Sequence, residues 1–240
     1  MRICFTSIDI EHDVGTGNDK TFLGVEAVDR VLDVFERSSI PATLFITGDV
    51  LEKYPDKVRD WARNYEVASH SFSHRYFNEL ADEEKETDTE RFIDIYKKIL
   101  GSRPLGFRAP SHVIDDYTLN LLQKYGFQYD SSVIPHYPPV KKYRGYHGRA
   151  PLAPYKIGEL LEIPVAGQIM GIPLAGAWIR KLPIWLYRIL FTTHKPKFVA
   201  LSMHSWDILD EKFASKLVRI VKILKISGYV FKSGEQIAGV

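Results

Sequence analysis

The sequence predicts an α/β protein built on a parallel β-sheet that is either open or closed into a barrel. Short apolar segments alternate with amphipathic helical segments along the chain, which is the pattern of strand–helix–strand units. The chain has 240 residues, 45% of them hydrophobic, so one domain with a large core can form. We predict a single domain over residues 1–240 with a long irregular insertion at about 134–195.

The first half of the chain gives the clearest strands and helices. Residues 25–35 place their apolar side chains at the spacing of one helical face, and Ile40-Pro41 ends that helix. A possible cap at Asp82 and a stop at Gly101 bound a second, charged helix. The predicted strands are 3–10, 42–46, 66–69 and 105–108, and the predicted helices are 25–35, 51–63 and 82–100.

The second half continues the alternation after an irregular stretch at 134–158. That stretch contains a basic loop, which could meet a phosphate-bearing substrate or be a solvated loop. The residues of the basic loop are Lys141, Lys142, Arg144, His147 and Arg149. The predicted strands are 127–129, 160–163, 198–203 and 229–231, and the predicted helices are 115–125, 182–192 and 211–226.

The composition argues against several classes of protein. A net charge of +2 is not the strongly basic balance of a nucleic-acid-binding protein, so no nucleic-acid partner is expected. Cys4, the single cysteine, is predicted to be a buried side chain, and a site built on several cysteines is excluded. No apolar run reaches the roughly 20 residues of a membrane span, and the first residues do not resemble a secretory signal. We therefore expect a cytoplasmic protein.

An aromatic and basic segment at 172–191 leaves two interpretations open. It could touch a membrane surface or a lipid-linked substrate, or it could pack over the fold or form a homo-oligomer contact. Pro173 and Pro183 prevent it from being one continuous helix.

Polar side chains follow five of the predicted strands at the points where those strands end. Catalytic groups of parallel α/β folds collect at this edge. His70 and His74 are four residues apart, so a helical turn would place both imidazoles on one face. Asp9 and Glu11 are two apart, so both carboxylates point to the same side of a strand. Two histidines and a carboxylate are a common ligand set for a catalytic divalent metal.

The remaining strand-end residues could complete a hydrolase. His204 suits the acid that protonates a leaving amine, with Asp130 as a candidate carboxylate to keep it cationic. Arg108 could hold Asp9 ionised and correctly oriented. We also predict that Pro110, Ser111 and Trp206 contact substrate. His12 and His112, which lie near these motifs, could touch substrate or metal or could be structural.

Five motifs over residues 5–207 together resemble the polysaccharide deacetylases of carbohydrate esterase family four, the NodB-homology group. The most specific match is His70-Ser71-Phe72-Ser73-His74, which fits the family's His-Ser/Thr-x-x-His metal motif. The other four are Ser7-Ile8-Asp9-Ile10-Glu11, Phe107-Arg108-Ala109-Pro110, Tyr129-Asp130-Ser131-Ser132 and Leu201-Ser202-Met203-His204.

The resemblance implies a distorted (β/α) barrel of about seven parallel strands. It also implies Asp9 as catalytic base, with His70 and His74 as ligands of a divalent metal, Zn²⁺ in first place and Co²⁺, Ni²⁺ or Mn²⁺ as alternatives. Most members have two adjacent aspartates in the first motif, whereas Ile10 takes the second place here. We therefore assign the third ligand to Glu11, with Asp13 as the alternative.

The expected substrate is an N-acylated amino sugar in a polysaccharide or a lipid-linked glycan. The first motif resembles most a subgroup associated with exopolysaccharides. Two alternatives stay open: a deformylase or allantoinase-like amidohydrolase of the same fold, and an inactive carbohydrate-binding domain.

Overall fold

The computed structural model describes residues 1–13, 21–135, 150–165 and 174–240. In this part of the chain, one curled sheet contains nine strands. They are β1 (Arg2–Ile10), β2 (Thr43–Ile46), β3 (Glu66–Ser69), β4 (Gly106–Phe107), β5 (Tyr129–Asp130), β6 (Tyr155–Ile157), β7 (Leu160–Glu162), β8 (Phe198–His204) and β9 (Tyr229–Lys232).

The strand order is β6-β7-β5-β4-β3-β2-β1-β8, and β9 pairs with the first residues of β1. Every pairing is parallel except that of β6 with β7. This arrangement confirms the predicted α/β class and distorted (β/α) barrel. The count exceeds the roughly seven parallel strands that the family resemblance implies. The antiparallel strand β6 was not predicted, whereas β9, which pairs with β1, corresponds to the strand predicted at 229–231.

Ten α-helices in the described residues cover the sheet and connect its strands. Pro55 begins α4 and divides the single helix predicted at 51–63, because proline suits a first helical turn and not a helix interior. The helices are α1 (Leu23–Ala27), α2 (Asp29–Arg37), α3 (Gly48–Lys53), α4 (Pro55–Trp61), α5 (Asp82–Leu100), α6 (Asp116–Lys124), α7 (Gly176–Lys181), α8 (Ile184–Thr193), α9 (Phe213–Ile226) and α10 (Gly234–Ala238).

The predicted irregular insertion at 134–195 contains regular structure where it is described. β6, β7, α7 and α8 all lie within it, and α7 and β6 have no counterpart among the predicted elements. The basic loop at 141–149 lies outside the described residues. The assignment of 1–240 to a single domain stays a prediction.

The core packs on both faces of the central strands. Cys4 is fully buried as predicted, and burial raises the pKa of its thiol to about 12, so it is no nucleophile at neutral pH. No helix in the described residues has both the length and the apolar character needed to cross a membrane.

The parallel pairing brings the polar strand ends together at one edge of the sheet. Asp9 of β1 lies opposite His204 of β8, and Ser69, which precedes His70, lies opposite Phe107, which precedes Arg108. Because parallel strands end at the same edge, side chains distant in sequence meet there.

Candidate active site

The loop after β3 carries both histidines of the His-Ser-Phe-Ser-His motif, and it is a turn and not the predicted helical turn. Ser71 and His74 have left-handed backbone angles, with φ of 64° and 56°. Such angles cost a non-glycine residue roughly 1 kcal/mol or more, and surrounding contacts must hold them in place. Asp88 of α5 supplies those contacts by accepting hydrogen bonds from the backbone N–H groups of Phe72 (2.7 Å) and Ser73 (2.9 Å).

Glu11, His70 and His74 form a buried cluster at this edge. One ligand atom from each lies within 4.8 Å of the other two. Glu11 Oε2 is 3.4 Å from His70 Nε2 and also contacts His74 Nε2. These side chains come from the end of β1 and the loop after β3, so two separate loops close around one point.

The polar atoms of this cluster fit a divalent cation. His70 Nδ1 donates a hydrogen bond to the Arg108 carbonyl oxygen at 2.8 Å. The unprotonated Nε2 is then the atom that can bind a metal. Glu11 Oε2 and His74 Nε2 are buried and lack a hydrogen bond of proper geometry. Burial by itself raises the pKa of Glu11, but His74 and His70 hold it well below its usual range, so the carboxylate is charged. One anionic and two imidazole ligands match the expectations for a catalytic zinc-type site.

Asp13, the alternative third ligand, lies outside this cluster. Its carboxylate accepts hydrogen bonds from Thr21 Oγ1 (2.6 Å) and from the backbone N–H groups of Leu23 (2.7 Å) and Gly24 (2.9 Å). Those amides are free because they belong to the first turn of α1, and a carboxylate satisfies them well. The geometry therefore favours Glu11 over Asp13 as the carboxylate of the cluster.

Asp9 lies beside the cluster and is held by Arg108. Arg108 Nη1 donates to Asp9 Oδ1 at 2.5 Å, and both side chains are buried. The guanidinium also donates to Ser7, Ser131 and Ser202 and packs 4.1 Å from the centre of the Phe45 ring. Burial by itself raises the pKa of Asp9, but Arg108 and nearby histidines bring it below its ordinary value. Asp9 is therefore an oriented carboxylate anion, as predicted from the sequence.

His204 faces the two carboxylates from the end of β8. Its Nε2 is 4.0 Å from Asp9 Oδ2 and 3.9 Å from Glu11 Oε1. The ring stacks on Trp206, with centroids 4.4 Å apart and planes 9° from parallel, and its side chain is 39% exposed. A histidine that reaches both the buried carboxylates and the solvent can exchange protons at this site.

The carboxylate that accompanies His204 is Asp207, and not Asp130 as the sequence had suggested. Asp207 Oδ2 is 3.9 Å from His204 Nδ1 and accepts a hydrogen bond from the His204 backbone N–H at 2.9 Å. Asp207 Oδ1 is 2.9 Å from Arg180 Nε, so α7 helps to fix this carboxylate. Among the described residues, the carboxylates within 4.0 Å of His204 are those of Asp9, Glu11 and Asp207, so Asp130 does not pair with it.

Asp130 instead forms a buried acidic pair with Glu162. The two lie opposite each other in adjacent parallel strands, β5 and β7. Burial raises the pKa of both groups, and the charge of Asp130 raises that of Glu162 further, so the pair retains a proton. Asp130 also binds the hydroxyl and backbone N–H of Ser132, whose Oγ accepts from the Ala109 backbone N–H. The structure therefore gives Asp130 a supporting place beneath the Arg108 loop.

The turn after β4 contains Pro110 and Ser111, two of the predicted substrate contacts. Pro110 is buried, while Ser111 is partly exposed. Ser111 and His112 both have left-handed backbones, with φ of 52° and 59°. Burial, helped by the positive charge of Arg108, lowers the pKa of His112 to about 3, so the imidazole is neutral at pH 7. The opposing effect of Asp9 on this pKa shows that His112 borders the site. Its Nδ1 is buried and lacks a hydrogen-bond partner.

His12 lies on the other side of His74. The two rings pack edge to face with centroids 5.2 Å apart, and His12 Nδ1 is 3.6 Å from Asp49 Oδ2. His12 therefore supports the ring of His74 and stands outside the three-residue cluster.

Comparison with known proteins finds similarity to one family. The family model for polysaccharide deacetylases matches residues 11–129, which include Glu11, His70, His74 and Arg108. This segment, just under half of the chain, is similar to the polysaccharide deacetylase family. The peptidoglycan deacetylase-like protein FGM2 of Gibberella zeae is 32% identical over 118 residues, 48% of this chain and 35% of that protein. The peptidoglycan deacetylase of Helicobacter pylori is 28% identical over 127 residues, 52% of this chain and 42% of that protein. The chain therefore spans less than half the length of these two relatives.

Solved structures show that the polysaccharide deacetylase fold extends over nearly the whole chain. A candidate polysaccharide deacetylase from Mycobacterium smegmatis aligns with 99% of this chain and 90% of its own, with a TM-score of 0.75 and 19% identity. PuuE allantoinase aligns with 99% of this chain and 89% of its own, with a TM-score of 0.73 and 17% identity. A family four pseudoenzyme from Bacillus anthracis aligns with 99% and 65%, with a TM-score of 0.66 and 12% identity. At these identities the likeness concerns the fold.

Two residues of the site had no predicted role. Asp207 ends the His-Ser-Trp-Asp segment, and its place three residues after His204 was the one available signal. Arg180 stands in the aromatic and basic segment, where nothing in the sequence distinguishes it from neighbouring cations. Its position depends on α7, a short helix that was not predicted.

Proposed function

We propose that this protein is a metal-dependent hydrolase that removes an N-acetyl or similar acyl group from an amino sugar in a polysaccharide or lipid-linked glycan. The observation that carries the proposal is the convergence of the Glu11–His70–His74 cluster, the Asp9–Arg108 pair and His204 at one edge of the sheet. Metal-assisted amide hydrolysis uses a metal site, a base and an acid, and this edge offers a candidate for each.

The roles follow from position and charge. Asp9, kept ionised by Arg108, would take the proton of the attacking water. His204, which lies across from Asp9 and is partly exposed, would protonate the leaving amine. Arg108 orients Asp9, and Asp207 orients His204. Pro110, Ser111 and Trp206 remain our candidates for substrate contact, and the Trp206 ring, which stacks on His204, would meet the acyl methyl or a sugar face.

Glu11, His70 and His74 would hold the metal, for which Zn²⁺ is our first choice and Co²⁺, Ni²⁺ and Mn²⁺ are alternatives. When bound there, a divalent cation would polarise the amide carbonyl and acidify a water molecule. The ligand cluster is buried while His204 beside it is partly exposed, which supports a site that substrate approaches from the His204 side.

Two other functions compete with this one. One is hydrolysis of small cyclic amides, which is worth testing because PuuE allantoinase has a similar fold. The other is an inactive domain, which is worth testing because a pseudoenzyme also has a similar fold. The intact set of Asp9, His204 and the three ligand residues argues against an inactive domain, since each is held in place by further contacts. The cytoplasmic location and a homo-oligomer stay predictions.

Acetate release is the assay that tests the proposal. Chitooligosaccharides, peptidoglycan fragments, and nucleotide- or lipid-linked N-acetylhexosamines would be compared, with formylated sugars and allantoin beside them. Asp9→Asn is expected to lower kcat by roughly 10²–10⁴-fold, the usual contribution of a positioned base, while metal content stays unchanged. Full activity of Asp9→Asn would reject Asp9 as the base, and turnover of allantoin alone would reject the sugar substrate.

A further inference from the structure

Helices α8 and α9 carry large apolar side chains that face solvent. Trp185 and Ile189, one helical turn apart on α8, are 62% and 50% exposed. On α9, Val218 and Ile226 are 48% and 77% exposed. Single exposed apolar residues are ordinary, but a group of them on two adjacent helices marks an interaction surface.

A groove of about 510 Å³ lies between the same two helices. It combines isoleucine side chains with three cations, and none of the described residues that line it is acidic. Its lining is Ile184, Arg188 and Thr192 from α8 and Arg219, Lys222, Ile223, Ile226 and Ser227 at and after α9. We call this groove and the four exposed apolar residues the α8–α9 face.

The charge of this region differs sharply from that of the whole chain. Neither α8 nor α9 contains an aspartate or glutamate. Residues 163–234 contain eleven lysines and arginines but three acidic residues, although the complete chain has a net charge of only +2. Within the described part of the chain, no ion pair neutralises Arg188, Arg219 or Lys222. The α8–α9 face therefore presents free positive charge next to exposed apolar side chains.

We propose that the α8–α9 face binds the surface of an anionic phospholipid bilayer. Trp185, Ile189 and Ile226 would enter the boundary between headgroups and acyl chains, and the three cations would meet lipid phosphates. A second copy of this chain is a poorer occupant, because a symmetric contact would place the same cations against each other. The proposal deepens the predicted membrane contact and does not depend on the deacetylase activity.

Vesicle cosedimentation of the full chain tests this proposal. Vesicles of phosphatidylcholine with roughly one third phosphatidylglycerol would be compared with pure phosphatidylcholine at low and high salt. We expect binding to the anionic vesicles that weakens with salt, together with a blue shift of tryptophan fluorescence that Trp185→Ser removes.

Three sets of variants distinguish the contributions. The triple change Arg188→Gln, Arg219→Gln and Lys222→Gln is expected to weaken binding by roughly 100-fold, about fivefold for each charge. Trp185→Ser with Ile189→Ser should weaken it through lost insertion. Removing three exposed cations elsewhere, at Arg63, Lys97 and Lys98, makes the same change in net charge and should leave most of the binding intact. Circular dichroism would confirm that each variant is folded.

Several results would overturn the proposal. One is that the native chain, shown to be folded, stays in solution with anionic vesicles at low salt. Another is that the control triple variant loses as much binding as the Arg188, Arg219 and Lys222 variant. A concentration-dependent dimer that Trp185→Ser abolishes, without vesicle binding, would assign the face to a second copy instead.

Discussion

Replacing Arg108 with methionine is expected to destabilise the protein strongly while keeping the volume of the side chain. Arg108 is fully buried and donates five hydrogen bonds, one of them to Asp9. Without the guanidinium, the Asp9 carboxylate would be a buried charge without its main partner. Removing one member of a buried ion pair costs roughly 3–5 kcal/mol of unfolding free energy.

The expected magnitude is large enough to measure by thermal or denaturant unfolding. In a chain of this size, 1 kcal/mol shifts the melting temperature by about 2–4 °C, so a loss of roughly 6–20 °C is expected. The cost should fall by about 1–3 kcal/mol when Asp9→Asn is already present, because no buried charge is then left unpaired. All four proteins of this double-mutant cycle should be measured after treatment with a chelator.

The dependence on pH gives a second, independent check. The pKa of Asp9 is lowered in the folded protein, so the stability that it contributes is present above its ordinary pKa near 3.8 and is lost as pH falls through the lower folded value. In Arg108→Met, burial raises the pKa of Asp9, so the gap in stability from the native protein should widen as pH rises above about 4. Equal costs of Arg108→Met with and without Asp9→Asn would refute this account of the pair.

Two further changes test the carboxylates around the site. Asp207→Asn should lower kcat by at least about tenfold with little change in KM, because His204 loses the group that orients it. The neighbouring Asp210→Asn serves as the control, and equal kcat values for the two variants would contradict this role of Asp207. Glu162→Gln should be neutral or stabilising at pH 7. Because the pKa of Glu162 is raised in the folded protein, the native chain should lose stability as pH rises from about 4.5 toward that raised pKa. Thermal melts from pH 5 to 8 should show this loss in the native chain and not in the variant.

Much of the framework could be predicted because the relevant signals are local. Helix α5 begins at Asp82 as predicted, although its N-cap residue is Ala81 and not Asp82. It ends at Gly101, whose backbone adopts the left-handed C-cap that glycine favours. The i, i+2 spacing of Asp9 and Glu11 directs both carboxylates toward His204, as expected for the end of a strand. The Glu11–His70–His74 cluster could be predicted because parallel strands end at a common edge.

The parts that sequence reasoning missed depend on distant contacts. The turn at His70–His74 is not helical because Asp88, fourteen residues after His74, holds its amides. The partner of His204 is Asp207 because the short turn after β8 brings that carboxylate back to the histidine. Asp130 was a reasonable candidate from its strand-end position, but its neighbour across the sheet, Glu162, lies on a strand whose pairing the sequence does not specify.

The most direct test of the central claim is the metal content of the purified chain. We predict about one tightly held divalent ion per chain, lost in His70→Ala and Glu11→Gln and retained in the control His194→Ala, whose histidine is exposed at the C-terminal end of α8 and lies outside the cluster. Elemental analysis after dialysis, followed by titration with Zn²⁺, would measure the stoichiometry. A folded native chain that takes up no divalent ion, or a Glu11→Gln chain that keeps it with unchanged affinity, would contradict the account.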